Sequence, residues 1–161
     1  MSEEATTSGV ARVRQALSDA GIQTIVMEMP ASTRTAKEAA AVIGCSVAAI
    51  AKSLVFRGVI TDRAVLVIAS GANRVHEETV ARLLGEPIER ANPEFVRTAT
   101  GYAIGGVPPV AHMHILPVWI DRDLFQFEHV WAAAGTPFAV FSVRPDDLKR
   151  ATGGEVADLR S

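Results

Sequence analysis

The sequence predicts one α/β domain around a mixed β-sheet, open or closed, and two observations carry that prediction. Segments of strand character alternate with helical ones, yet no regular βαβ repeat runs through them. The 161 residues, 48% of them apolar, can bury one substantial core and are too few for two comfortable domains. No internal repeat or low-complexity linker divides the chain. One domain is therefore expected over residues 9–158, behind a flexible polar tail of residues 1–8.

The elements follow in order. A helix is expected from Ser8, because Val10, Val13 and Leu17 share one face, and Gly21 closes it. Residues 22–29 read as a strand ended by Pro30. Thr35, Ala36, Lys37 and Glu38 form a capping box: the threonine oxygen accepts from the Glu38 amide and the glutamate reaches back. The helix that follows carries a stripe of Ala36, Ala39, Ala40 and Ile43 and stops at Gly44; Ser46 caps a short turn through Ile50. Residues 52–58 suit a strand through Ser53, Leu54, Val55 and Phe56. Residues 64–69 are continuously apolar, as a strand buried on both faces requires. Residues 77–84 predict a helix whose first-turn acids favour the dipole, closed by Gly85. Asn92 and Pro93 open another, a capping residue followed by proline at the first helical position. A glycine- and proline-dense loop spans 101–109. Strands are expected at 116–121 and 138–143. Residues 125–133 are ambiguous by period and are assigned to a strand, and Pro145, Asp146 and Asp147 open a last short helix.

Composition narrows the function. A net charge of −2, with 21% charged residues, argues against a protein that coats nucleic acid. A small basic rim could still grip an RNA end. The single cysteine, Cys45, rules out a disulfide within the chain and reads as a small packing residue. No apolar run approaches the roughly 20 residues of a membrane span, and the acidic start Met1-Ser2-Glu3-Glu4 is unlike a signal peptide. A cytoplasmic protein without a membrane partner is expected.

Four features could carry chemistry. Lys52 lies at the start of an apolar strand, where it either snorkels its ammonium to water or serves as a fixed cation for a carbonyl, ester oxygen or phosphate. The loop with Gly101, Tyr102, Gly105, Gly106, Val107, Pro108 and Pro109 is either a rigid turn or a binding loop whose amides face an anion or polarised carbonyl. It is neither a Rossmann nor a P-loop signature. His112 and His114 would share one face of a strand, but no third metal ligand has suitable spacing, so neither metal nor cofactor is expected. Asp146 and Asp147 fit a helix start, and Asp121 and Asp123 fit a turn, with a place in a site as the other reading. No nucleophile elbow or cysteine–histidine pair is visible.

Taken together, these residues resemble the YbaK/EbsC family, relatives of the editing domain of bacterial prolyl-tRNA synthetases. The resemblance runs over residues 10–158. It rests on Ala51-Lys52-Ser53-Leu54-Val55-Phe56, on Gly101-Tyr102 with Gly105-Gly106-Val107-Pro108-Pro109, on Leu116-Pro117-Val118-Trp119-Ile120-Asp121, and on Gly135 with Pro145-Asp146-Asp147-Leu148. It implies a curved or barrel-like mixed sheet flanked by helices. It also implies hydrolysis of the ester between a wrong amino acid and the tRNA 3′-terminal ribose, with cysteinyl or alanyl proline tRNA as the known targets. The family's functional lysine is matched by Lys52, and its pocket-shaping Gly-x-x-x-Pro backbone by Gly105 to Pro109.

An aminoacyl ester is already activated, so the absence of a protein nucleophile fits. Water, the ribose hydroxyl or a substrate thiol can attack while the protein orients the ester and supplies donors. Two departures stand out. Pro108 replaces a common Ser or Thr and is expected to narrow the pocket wall, and Ala111 replaces a common Gly. His112 and His114 fall in a stretch that is often more basic. The expected partners are the aminoacyl 3′ end of a mischarged tRNA and, transiently, prolyl-tRNA synthetase. A non-catalytic module that binds aminoacyl-tRNA or a synthetase, and a hydrolase of small free esters, are the rival readings.

Overall fold

The computed structural model describes residues 3–160, with side chains described from residue 9 onward. A mixed five-stranded sheet runs in the order β4 (Ile88–Arg90), β2 (Ala51–Gly58), β3 (Ala64–Ser70), β5 (Val118–Asp121), β8 (Glu155–Ala157). β2 is antiparallel to both β4 and β3; β3, β5 and β8 are parallel. A smaller antiparallel sheet has the order β1 (Met27–Glu28), β7 (Ala139–Val143), β6 (Val130–Ala133). The two sheets meet at an isolated parallel bridge between Ile50 and Trp131. They are mixed and helix-flanked as expected, but they do not close into a barrel.

β3 explains the layering. Every residue of it is buried, so both faces of the large sheet must be covered. On one face, Leu66, Ile68, Val55 and Ile120 pack with Val13 and Leu17 of helix α1 (Glu3–Asp19) and with Phe141 and Val130 of the small sheet. On the other, Phe56, Val65 and Val67 pack with Val80 and Leu84 of α3 (Glu77–Leu84). A third cluster joins Ala39 and Ala40 of α2 (Ala36–Ile43) to Ile50 and Trp131, with Cys45 half-buried against it. Burial pushes the Cys45 thiol above its ordinary range.

The local signals behave as the sequence suggests. Thr35 accepts from the Glu38 amide at 3.1 Å, although its hydroxyl, not its backbone amide, completes the box with Glu38 Oε1. Ser46 caps a 3-10 turn at Val47–Ala49, and Asn92 caps α4 (Pro93–Thr100) through the Phe95 amide. α5 is Pro145–Thr152, with Asp146 and Asp147 in its first turn.

Five segments differ. α1 already runs from Glu3, ahead of the expected Ser8; Met1 and Ser2 of the expected tail lie outside the described residues. The strand expected at 22–29 shrinks to Met27–Glu28, because Ile22 and Val26 are buried four apart while Ile25 faces solvent. Thr24 instead reaches the Ser142 carbonyl through its hydroxyl, at 2.7 Å. The strand expected at 125–133 begins only at Val130: Asp121 accepts from the Asp123 amide and winds Arg122–Gln126 into a 3-10 turn. β4 and β8 are three-residue strands with no counterpart in the sequence reading.

Glu86 locks the hairpin between β2 and β3. It lies just beyond α3 and accepts from the amides of Ile60 and Thr61, the Thr61 hydroxyl and Arg63. It also packs against Gly58, where a Cβ would come within 2.4 Å of Oε1. The Thr61 amide and hydroxyl above all, helped by Ile60 and Arg63, hold its pKa at about 2, below an ordinary 4.5. A depressed folded-state pKa means stability that is present above the unfolded value and lost as pH falls through the folded one. Glu86→Gln should therefore unfold at lower urea than the native chain at neutral pH. The gap should narrow as pH falls from 4.5 toward 2. A gap independent of pH would refute this account of Glu86.

Candidate active site

The site arises where the two sheets part. β2 pairs with β3 along its length, but with β4 only at Phe56, Arg57 and Gly58. Its other end touches the small sheet through the Ile50–Trp131 bridge. Between those contacts no strand of the described residues pairs with the outer edge of β2, and a cleft of 290 Å³ opens there. Ala36, Ala39 and Ile43 of α2 form one wall, Trp131 and Ala132 another, and Ile104, Gly105 and Val107 of the loop a third. Thr33, Arg34 and Thr35 border it ahead of α2. The floor is the start of β2, including Lys52 and Ser53. The Ser53 hydroxyl is buried there with no hydrogen-bond partner among the described residues.

Lys52 is half-buried, and its ammonium donates to the Asn73 carbonyl at 3.1 Å. It therefore does not simply snorkel to water. Burial lowers its pKa below the usual lysine value, nearby Arg90 lowers it further, and Asp121 opposes them. An ammonium has three donors, so two remain after the Asn73 bond. Asp121, which the sequence left between turn and site, is 1% exposed and accepts from the Ser70 amide and the Asn73 side chain, each at 3.0 Å.

The loop divides its labour. Gly105 and Val107 line the cleft with Lys52; Gly101, Tyr102, Gly106, Pro108 and Pro109 do not. Gly101 is the left-handed cap of α4 at φ 86°. Tyr102 is buried, and its hydroxyl donates to the Ala111 carbonyl at 2.8 Å while Arg12 lies over its ring. Gly106 presses on the Thr136 backbone, where a Cβ would come within 2.8 Å. Pro108 and Pro109 are buried, and the Pro108 carbonyl accepts from His112 Nε2 at 2.6 Å. Pro108, expected to narrow the pocket wall, lies behind it and acts through His112. These residues brace the wall that Gly105 and Val107 present.

The histidines differ from expectation. Residues 112–114 form no strand, with a bend at 113 and 114, so His112 and His114 share no strand face. His112 packs edge-on to Tyr102, and burial lowers its pKa despite the Pro108 bond. Among the described residues, no group of three His, Cys, Asp or Glu side chains converges as a metal site would require. The sequence reading missed Arg34, Asn73 and Trp131. No local signal marks them; Asn73 is reached only by following Lys52.

Known proteins share this sequence and fold. A family model described as an aminoacyl-tRNA editing domain matches residues 30–151. That segment contains the whole cleft, from Thr33 to Val140. A crystal structure of a proposed trans-editing enzyme for prolyl tRNA synthetase is 49% identical, with a TM-score of 0.89, over 95% of this chain and 97% of that one. The crystal structure of hypothetical protein APE2540 is 31% identical, with a TM-score of 0.86, over 93% and 99%. The uncharacterized protein YwhH of Bacillus subtilis (strain 168) is 33% identical over 76% of this chain and 78% of its own.

Ala111 tests the bracing. Its φ of 67° lies in the left-handed region, which costs a residue with a Cβ about 1–2 kcal/mol. Ala111→Gly should stabilise the fold by up to about 1 kcal/mol after the unfolded chain's gain in freedom, read as a higher urea midpoint. Tyr102→Phe, which removes the bond to the Ala111 carbonyl, should destabilise the fold by about 1 kcal/mol and lower the midpoint. Equal midpoints for all three chains would contradict the assigned strain and bond.

Proposed function

The chain belongs to the aminoacyl-tRNA editing domain family, and from that premise we propose that it is a trans-acting deacylase for mischarged tRNA. It hydrolyses the ester between a wrong amino acid and the 3′-terminal ribose, with cysteinyl or alanyl proline tRNA as the substrates. The observation that carries this reading is that Lys52 and the Gly105–Val107 wall, far apart in sequence, line one cleft. Small walls at Ala36 and Ala39 suit a small side chain such as that of cysteine or alanine.

In this reading Lys52 anchors the terminal phosphate or ribose with the donors left over from Asn73 and stabilises developing charge. Water or a group of the substrate attacks the carbonyl carbon, the ester C–O bond breaks, and the ribose oxygen leaves with a proton. The Gly105 and Val107 amides are the loop's candidates for the oxyanion, because the Gly106 amide already donates to Ala103. The relative named for prolyl tRNA synthetase supports a transient complex with that synthetase. Among the described residues, no helix is long and apolar enough to cross a membrane. The cytoplasm, where tRNA is charged, is the proposed compartment.

A panel of mischarged tRNAs tests the proposal. Cysteinyl or alanyl proline tRNA should be cleared fastest, and Lys52→Ala should slow single-turnover deacylation by a hundredfold or more, an order of magnitude typical of a lost charge-stabilising donor. Near-native rates in that variant would sink the role given to Lys52. Binding without turnover across the panel would favour a non-catalytic module. Rates indifferent to the tRNA body would favour a hydrolase of small esters.

A further inference from the structure

Lys52 is a long, flexible side chain, and a flexible cation is a poor positioning group. Its fixation comes from outside the cleft. The turn after β3, residues 70–73, is tied down twice by the buried Asp121 carboxylate: Oδ2 accepts from the Ser70 amide and from Asn73 Nδ2, each at 3.0 Å. Oδ1 accepts from the Asp123 amide at 2.9 Å, so the carboxylate is itself held by the turn that follows β5. Asn73 Nδ2 also donates to Asp123 Oδ2 at 2.8 Å. The Ser70 hydroxyl donates to the Ala48 carbonyl at 2.7 Å, which ties the same turn to the segment entering β2. With both ends held, the Asn73 carbonyl meets the Lys52 ammonium at 3.1 Å.

We propose that Asp121 and Asn73 are positioning residues for Lys52: the buried carboxylate fixes the turn, and the turn's carbonyl fixes the ammonium that the substrate meets. The proposal rests on the role given to Lys52 above. It accounts for a feature that fold stability leaves unexplained. A carboxylate 1% exposed is costly to bury, and capping a 3-10 turn would use only one of its bonds. The other two go to Ser70 and Asn73, the two ends of the turn whose carbonyl holds Lys52. The arrangement also sets the charge around the ammonium. Arg90 on β4 and Arg34 across the cleft are cationic; Asp121 and Asp123 are anionic, and Arg160 pairs with Asp123 at 3.7 Å. Asp121 is the anion that sustains the Lys52 charge against burial and Arg90.

The chain has three lysines, and Lys37 and Lys149 are exposed, so labelled lysine side chains give an NMR readout in which Lys52 stands apart. The native protein, Lys52→Ala, Asn73→Ala and Asp121→Asn are compared by single-turnover deacylation of cysteinyl proline tRNA, by lysine NMR titration and by thermal melting. Asn73→Ala should slow the step by about tenfold or more at saturating protein, with a smaller change in half-saturating concentration, as loss of positioning does. Its Lys52 signal should move while Lys37 and Lys149 stay put. Asp121→Asn should make Lys52 titrate at lower pH than in the native chain and shift the alkaline loss of activity the same way.

The outcomes separate. If Lys52→Ala is inactive but Asn73→Ala keeps the native rate and Lys52 signal, the positioning role is wrong and the Lys52 assignment stands. A lowered melting temperature with an unmoved Lys52 signal likewise overturns it, since that is a structural role alone. If Lys52→Ala keeps the native rate, the functional reading fails first. Should Asp121→Asn not fold, Asn73→Ala, which leaves every backbone bond of the turn in place, decides the matter.

Discussion

Ile50 and Trp131 mark the constraint from which the rest of the site follows. Two sheets of opposite character must share one chain, and they touch at this bridge. Had the pairing continued along β2, its outer edge would have been filled by β6 and the sheet would have moved toward closure. Instead β2 leaves β6 after Ile50 and gains β4 only at Phe56. An unpaired stretch of strand edge in a protein interior must be covered. Here α2 and the loop after α4 cover it incompletely, and the cleft is what remains.

That origin explains why the loop is built as it is. A wall over an open edge must approach closely without offering a strand of its own. Gly105 at φ 92° passes beneath Arg34, and Gly106 lies against the Thr136 backbone, positions where a Cβ would collide. The prolines behind them donate no amide and so cannot compete for the edge. Tyr102 and His112 then clamp the loop's ends to Ala111 and Pro108. The price is visible at Ala111, which adopts a left-handed conformation to let its carbonyl reach Tyr102.

What was legible in the sequence was local. The caps at Thr35, Ser46 and Asn92 make their bonds within three residues, and a local pattern can announce a local bond. β3 was legible because burial on both faces leaves a continuous apolar run. β4 and β8 were not: each is three residues, mostly exposed, with no period to read. Residues 22–29 misled because their apolar side chains suited a strand, while the chain buried only Ile22 and Val26 there. Lys52 announced itself as a cation in an apolar strand, and family resemblance separated the two readings of it. Which loop residues face the cleft, and what holds Lys52, could not be read. The bonds from Asn73 to Asp121 and from Lys52 to Asn73 span 48 and 21 positions, with nothing in either neighbourhood to predict the other.

Under the proposed deacylation, the electrostatics of Lys52 give such a distant device a use. An ammonium at the surface is strongly hydrated and grips a phosphate or ribose weakly, since water competes for every donor. Partial burial removes that competition but favours the neutral amine, and Arg90 presses the same way. A carboxylate inside the cleft would restore the charge, yet it would also repel an anionic tRNA end. Asp121 avoids that conflict by standing behind the turn at residues 70–73, where its charge reaches Lys52 while its oxygens are occupied by Ser70, Asn73 and Asp123. The cleft thus presents a half-buried cation without presenting the anion that maintains it. For the proposed reaction, whose ester is already reactive, a cation fixed in place beside a small apolar pocket is most of what a protein needs to supply.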